Sequence, residues 1–371
     1  MAIMNFLTIA GVSSIWKPII SLLDWMNNGI GNFGWTVVVF AIVLRIVLLP
    51  LDIWQKISMR KQKDKMDQLR PQLEKLQKQY ANRPDILRQK QYELQKSANI
   101  KMLSSCLPMI FTLVIFAIVF QGFREYIIYV NEKIVTNLYN DVYLQFFVDN
   151  AQTITAVTGQ QVVDASGNLL ASFTPSYSYI EQAGLVAQLN EKLVAGYNPE
   201  SWLWVKNVFM SDTFANVIPS FDNFISSGLG GISANIPSIT GVSYNELMNP
   251  IMAAYNKTSF FDIKNWNGYF LLPILSIATS FVATILQQKM QPAQVPTGTE
   301  AQQKQQKIMT KVMTYMMPLI LGFFAIMYSA AFAIYYFISN VVTTITSLVF
   351  NLIVKSKEKK NDNNVIITQQ R

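Results

Sequence analysis

Forty-three consecutive residues, Val312 to Val354, carry no charged side chain. About 20 apolar residues cross the hydrocarbon core of a bilayer. A run of this length therefore predicts two membrane helices, 312–328 and 330–354, joined by a tight turn at Tyr328–Ala330. A second run, Phe33 to Leu51, holds one ionisable side chain, Arg45. Arg45 lies three residues past the centre of the run at Ile42, about 4 to 5 Å off the middle at about 1.5 Å per residue. Insertion scales set the cost of such an arginine at roughly 2.5 to 3.5 kcal/mol. A water-filled cavity or a bundle interior offsets that cost, so a cation at this depth is a candidate functional residue. The competing reading is a side chain that snorkels toward the Asp52 end.

Composition agrees with a membrane protein of several spans. The chain of 371 residues is 51% hydrophobic and 14% charged, with mean hydropathy +0.24, which is too apolar for an ordinary soluble domain. It has no histidine and one cysteine, Cys106. That excludes a disulfide framework within one chain, Cys/His zinc sites and any triad that needs histidine. Met1 to Val12 is apolar but short and lacks a basic start, so no typical secretory signal is expected.

Taken in order, Trp16, Ile19, Ile20, Leu23 and Met26 recur at helical spacing. They predict an amphipathic helix over Val12–Asn28 that lies in a membrane interface or packs on the protein's own surface. It belongs to a tail, 1–32, that ends in the turn Asn27–Asn32. The first span follows at 33–52, with a break or kink expected at Pro50. Asp52 to Lys101 then holds thirteen Lys/Arg against six acids. Met66, Leu69, Leu73, Leu76 and Tyr80 form an apolar stripe there, and Ala81–Pro84 breaks it. The segment 53–102 reads as a basic helical hairpin outside the bilayer. A span at 103–122 leads to an acidic insertion, 123–267, with six Lys/Arg and twelve acids. Within it, Val162–Ala171 reads as a hairpin around Ser166-Gly167-Asn168 and Glu181–Ala195 as a helix, which suggests an α+β or mixed fold. A span at 268–288, a polar loop at 289–311, the two charge-free spans and a basic tail at 355–371 complete the chain. Basic segments face the cytoplasm. The fold class is thus an all-α polytopic membrane protein with five spans, N-terminus outside and C-terminus inside.

The spans carry polar residues in register. Tyr336, Asn340, Thr344, Ser347 and Asn351 form a stripe at i, i+4, i+8, i+11 and i+15. Ser276, Thr279, Ser280 and Thr284 lie in the third span, and Thr112 and Gln121 in the second. Such residues often only glue helices together, at roughly 0.6 to 2 kcal/mol each. With Arg45 beside them and no acid in any span, they suggest a wet groove.

The ordered set of residues resembles the YidC-type membrane protein insertases, relatives of the mitochondrial oxidase-assembly and chloroplast thylakoid insertases. The set is an amphipathic helix, a span with one arginine before Leu48-Leu49-Pro50-Leu51, a basic hairpin running into Cys106-Leu107-Pro108, then Gln305 to Thr310, Met316-Met317-Pro318, and Tyr335 to Asn340. The resemblance covers roughly 12–122 and 265–355. It departs where the family often has Gln and this chain has Thr112, at the turn Ser329 to Phe332, and in the insertion, which has no counterpart. It implies a five-helix core with a hydrophilic groove open to the cytoplasm and to lipid, with Arg45 as the groove cation. Thr112, Gln121, Ser276, Ser280, Tyr336, Asn340, Thr344 and Ser347 are the candidate groove residues. It also implies clients that are nascent membrane proteins, with the ribosome, a translocon channel, signal-recognition targeting machinery and membrane lipids as partners, in a bacterial plasma membrane. No cofactor and no enzymatic activity are expected, and no GxxxxGK[ST] phosphate loop is present. Two other classes fit the spans: a transporter or channel with Arg45 as an anion site, and a membrane anchor for the 123–267 insertion.

Overall fold

The computed structural model describes residues 13–98, 107–228, 230–290 and 300–369. Cys106 lies outside the described residues. The chain divides into two compact units. One comprises Met1–Thr36, Phe120–Leu271 and Ile326–Ala333, and the other Val37–Val119, Leu272–Ala325 and Ile334–Arg371.

The first helix, α1 (Ser13–Ile30), is stopped by Gly31, whose φ of +77° ends a helix without the Cβ penalty. Asn32 then starts α2, its side-chain oxygen accepting from the Trp35 amide at 3.2 Å, as an N-cap does. Helix α2 runs unbroken from Phe33 to Gln79, through Pro50 and Pro71. The break expected at Pro50 is therefore absent. A proline removes one rung of the ladder, and the helix continues on both sides of it. A turn at residues 80–83 separates α2 from α3 (Pro84–Ser97), which opens on a proline at its first turn.

Helix α4 (Leu107–Asn137) continues beyond 122, where the second span was expected to end. A π-helical segment (Leu138–Leu144) and α5 (Gln145–Asp149) extend it. Tyr126, Ile127, Val135 and Leu138 recur at helical spacing and are all buried, so the apolar stripe does not stop at the bilayer length. The rest of the insertion is short helices: α6 (Ala151–Thr158), α7 (Tyr177–Gln182), α8 (Val186–Gly196), α9 (Phe221–Ile225) and α10 (Gly241–Tyr255). Its core is Tyr143, Phe146, Leu189, Leu193, Tyr244 and Leu247.

Among the described residues there is no strand longer than an isolated bridge, Val163 with Leu169 and Trp202 with Val205. The α+β expectation for the insertion is thereby corrected to helical. The Val162–Ala171 turn does form, held by Asp164, whose carboxylate accepts from the Ser166 and Asn168 amides at 2.8 and 2.9 Å. It lacks a third strand to pair with, and a lone two-stranded ribbon does not grow. The helix expected over Glu181–Ala195 is split at residues 183–185 between α7 and α8.

Helices α11 (Leu271–Met290), α12 (Glu300–Met327) and α13 (Ala330–Gln369) follow. The turn between α12 and α13 falls at Tyr328–Ser329, inside the expected position. Among the described residues, four segments are long and apolar enough to cross a membrane: Phe33–Ser58, Val114–Asp149, Leu271–Gln288 and Ala330–Val354. The expected span 312–328 lies in α12, whose apolar stretch is Thr314–Met327. At about 1.5 Å per residue that is about 21 Å, short of a hydrocarbon core of about 30 Å.

Within the first unit, a knot of buried polar groups ties the insertion to helix ends. Asn267 donates to the Asn207 carbonyl at 3.0 Å and the Ser211 carbonyl at 2.8 Å, and its oxygen accepts from the Asn207 amide at 2.9 Å. Asp212 accepts from the Tyr269 amide at 2.8 Å and from the Trp204 indole at 3.2 Å. Two residues on, α11 begins. The Ala330 and Ala331 amides, at the start of α13, donate to the Met210 and Val208 carbonyls at 2.7 and 2.9 Å.

Candidate functional site

Arg45 sits on the half-buried side of α2, while Ile46 and Val47 beside it are exposed. Its Nε is shielded and has no hydrogen-bond partner. None of the ion pairs among the described residues includes it. With 3.6 residues per turn, Asp52 at i+7 and Lys56 at i+11 share its face. Lys56 is only 5% exposed, and its Nζ also has no hydrogen-bond partner. The charges of Asp52 and Arg45 both act on Lys56. Lys56 lies inside the apolar segment Phe33–Ser58, beyond the end at 52 expected for the first span. In the sequence Lys56 counts among the thirteen cations of the Asp52–Lys101 run. The signal that identifies it is its i+11 spacing from Arg45.

Helix α13 faces α2 in the same unit. The rings of Phe40 and Tyr335 lie 6.4 Å apart, and the Arg45 charge acts on the phenols of Tyr335 and Tyr336. Helix α13 is joined to α11 by polar contacts. The hydroxyls of Ser280 and Tyr336 are 2.6 Å apart, and the Asn340 amide donates to the Ser276 carbonyl at 3.4 Å. All four side chains are buried. They make a polar seam between two helices, the arrangement that holds membrane helices together where apolar contact gives no net preference. Tyr336→Phe is expected to lower stability by about 1 kcal/mol, seen as a lower melting temperature in detergent, because the Ser280 hydroxyl loses its partner.

The remaining candidates divide. The Ser347 hydroxyl donates to the Thr343 carbonyl at 2.8 Å and is fully buried, turned back onto its own helix. The Thr344 hydroxyl is shielded and has no hydrogen-bond partner. Gln121 belongs to the other unit, and its amide donates to the Glu125 carboxylate at 2.7 Å. Thr112 is on α4, with its side chain outside the described residues. A cleft in the first unit, walled by Phe120, Arg124, Phe209, Gly230 and Phe332, contains none of the candidates. Among the described residues no cluster of His, Cys, Asp and Glu could hold a metal.

Arg45, Lys56, Ser276, Ser280, Tyr336, Asn340 and Thr344 all lie in the second unit, where Ser276 is joined to Asn340 and Ser280 to Tyr336. Three shielded polar atoms among them lack partners: Arg45 Nε, Lys56 Nζ and Thr344 Oγ1. A shielded polar atom without a partner costs free energy comparable to a lost hydrogen bond. Such an arrangement can be relieved by water or by the polar groups of a visiting segment.

Comparison with known proteins follows the same line. The model of a family described as 60Kd inner membrane protein matches residues 25–359. The chain is similar to a membrane protein insertase YidC of Wolinella succinogenes, 33% identical over 105 residues, covering 28% of this chain and 19% of that protein. A Leptospira interrogans protein of the same description is 37% identical over 96 residues, 26% of this chain and 15% of its own. One from Fusobacterium nucleatum is 36% identical over 107 residues, 29% of this chain and 50% of its own. The matched stretches therefore span half or less of the length of these relatives.

Proposed function

The chain belongs to the 60Kd inner membrane protein family, and on that premise we propose that it is a membrane protein insertase of the bacterial inner membrane. Its clients are nascent membrane proteins with short polar tails. An unassisted tail meets several kcal/mol for each unpaired polar or charged group in hydrocarbon. A hydrated groove part of the way across lowers that barrier. Arg45 attracts acidic side chains of the tail, an attraction strengthened where the local dielectric is low. Lys56 extends the same cationic face toward the charged end of α2. The client's apolar helix then leaves sideways into lipid, and no nucleotide is consumed.

The supporting observation is the shielded Arg45 Nε without a partner inside an apolar segment. A charge at this depth is energetically costly and marks a functional position. Thr344 offers a hydroxyl for the extended segment, and the seam of Ser276, Ser280, Tyr336 and Asn340 holds the wall behind it. Thr112, on α4, is proposed as a further part of the polar lining. Five crossings are proposed, with α12 as the short fourth one, the N-terminus outside and the C-terminus in the cytoplasm. The hairpin of α2 and α3, with the basic tail, attracts anionic surfaces such as ribosomal RNA. A translocon channel and signal-recognition targeting machinery are further proposed partners.

A photo-cross-linking residue placed at Thr344 tests the path. It is expected to capture a ribosome-stalled client with an acidic tail, while the same residue at Leu352, on the exposed surface of α13, captures lipid. Equal capture of client at both positions, or capture at Leu352 alone, removes the groove from the mechanism.

A further inference from the structure

The insertion carries an apolar surface that the insertase reading does not use. Between α10 and α11, Phe261 is 86% exposed, Phe260 58% and Ile263 51%. This is not a floppy loop tip. The Asp262 carboxylate accepts from the Thr258 amide at 3.2 Å and the Asn265 side chain at 3.0 Å. These bonds hold its carboxyl below the usual carboxylate range. A 3-10 turn over Ile263–Asn265 follows. The Trp266 indole donates to the Phe260 carbonyl at 3.0 Å. Behind it, the Trp266 ring lies 4.4 Å from Phe214 and 5.7 Å from Phe260. Phe260 stays at the edge of this cluster, 6.2 Å from Phe214, and Phe261 packs edge-on against Phe260 at 5.7 Å with its other faces open.

Position argues for the occupant. Leu271, where the apolar segment Leu271–Gln288 begins, is ten residues from Phe261 and in the same unit. Tyr269 and Leu271 are themselves exposed, so the apolar strip continues into the start of the span. Lys264 is exposed at the tip of the loop. Trp266 and Tyr269 are rings with one polar edge beside a span end, the kind of residue enriched at the headgroup boundary, while Phe260, Phe261 and Ile263 supply apolar surface next to them. A client helix or a second copy would require none of that continuity.

We propose that the loop 257–266 is a membrane anchor, with Phe260, Phe261 and Ile263 inserted at the headgroup–acyl boundary of the bilayer beside the start of α11. It fixes the insertion against the lipid surface. The acidic insertion then rests on lipid through an aromatic tip that carries one acid, Asp262, against two lysines, with Lys264 available to lipid phosphate.

The test uses the full chain in liposomes, with Cys106→Ser to remove its one cysteine. Phe261→Cys and, separately, Ile263→Cys are labelled with an environment-sensitive fluorophore, with Ser166→Cys in the Asp164 turn as the control. Far-UV circular dichroism confirms that each labelled protein is folded. The expected result is at least about twofold quenching at 261 and 263 by lipids spin-labelled near the headgroup, with the 166 label unaffected. Lack of quenching at both positions overturns the proposal. So does shielding that appears only on adding a client, or only as protein concentration in the bilayer rises, since these assign the surface to a client or to a second copy.

Discussion

Arg45→Ala is expected to lower insertion of a single-span client with a short acidic tail by about tenfold at equal protein abundance, and Arg45→Lys to retain most of it. Two opposite charges about 4 Å apart at an effective dielectric near 20 attract by about 4 kcal/mol. Part of this offsets desolvation of the two ions. A remainder of about 1.4 kcal/mol corresponds to a factor of ten in rate. Lysine restores the charge but not the planar fork of donors, so a small deficit in the lysine variant is consistent with charge as the working element. The measurement is the protected fraction of client in liposomes carrying each variant. Arg45 is half-buried beside exposed Ile46 and Val47, so melting of the variant in detergent is measured alongside, and an unchanged melting temperature separates loss of insertion from unfolding.

The second large effect lies in the insertion. Asn267→Ala is expected to destabilise the protein by about 3 kcal/mol or more. Its side chain holds the Asn207 amide and the Asn207 and Ser211 carbonyls, and a buried polar group left without its partner costs about 1 to 3 kcal/mol. Asp212 accepts from the amide of Tyr269, two residues before α11. The expected readout is a lower melting temperature in detergent and faster proteolysis between residues 200 and 270. Insertion should fall only as far as folded protein does, which separates this residue from Arg45. Unchanged melting would show that the knot is not what holds the insertion to the start of α11.

These two residues illustrate how differently the parts of the chain could be read. The membrane segments were legible because bilayer thickness converts directly into run length, and Arg45 was legible because a charge interrupts such a run. Lys56 was hidden by the same arithmetic. Counted with the hairpin's cations it looked solvated, yet it continues the Arg45 face into the span and is buried. The second span's overrun was present in the spacing of Tyr126, Ile127, Val135 and Leu138, but the acids and polar residues after 122 drew attention to composition instead. Pro50 marked a break that long flanking helix overrides. The insertion was least legible. Asn207, Asp212 and Asn267 stabilise it through contacts as many as 60 residues apart, and no periodicity announces a knot of that kind. The polar residues of α11 and α13 stand in register in the sequence, while their division into a bonded seam and unpartnered atoms requires the side-chain geometry.

The central claim is that a positive charge in the membrane couples to negative charge in the client. The direct measurement crosses two substitutions: wild type and Arg45→Ala, each against a client whose tail carries two aspartates or two asparagines. Insertion of all four pairs is followed in the same liposomes at equal protein abundance. The account predicts a loss of about tenfold for Arg45→Ala with the aspartate tail and little change with the asparagine tail. An equal loss with both tails would contradict it, because Arg45 would then be acting on the groove itself and not on the charge of the client.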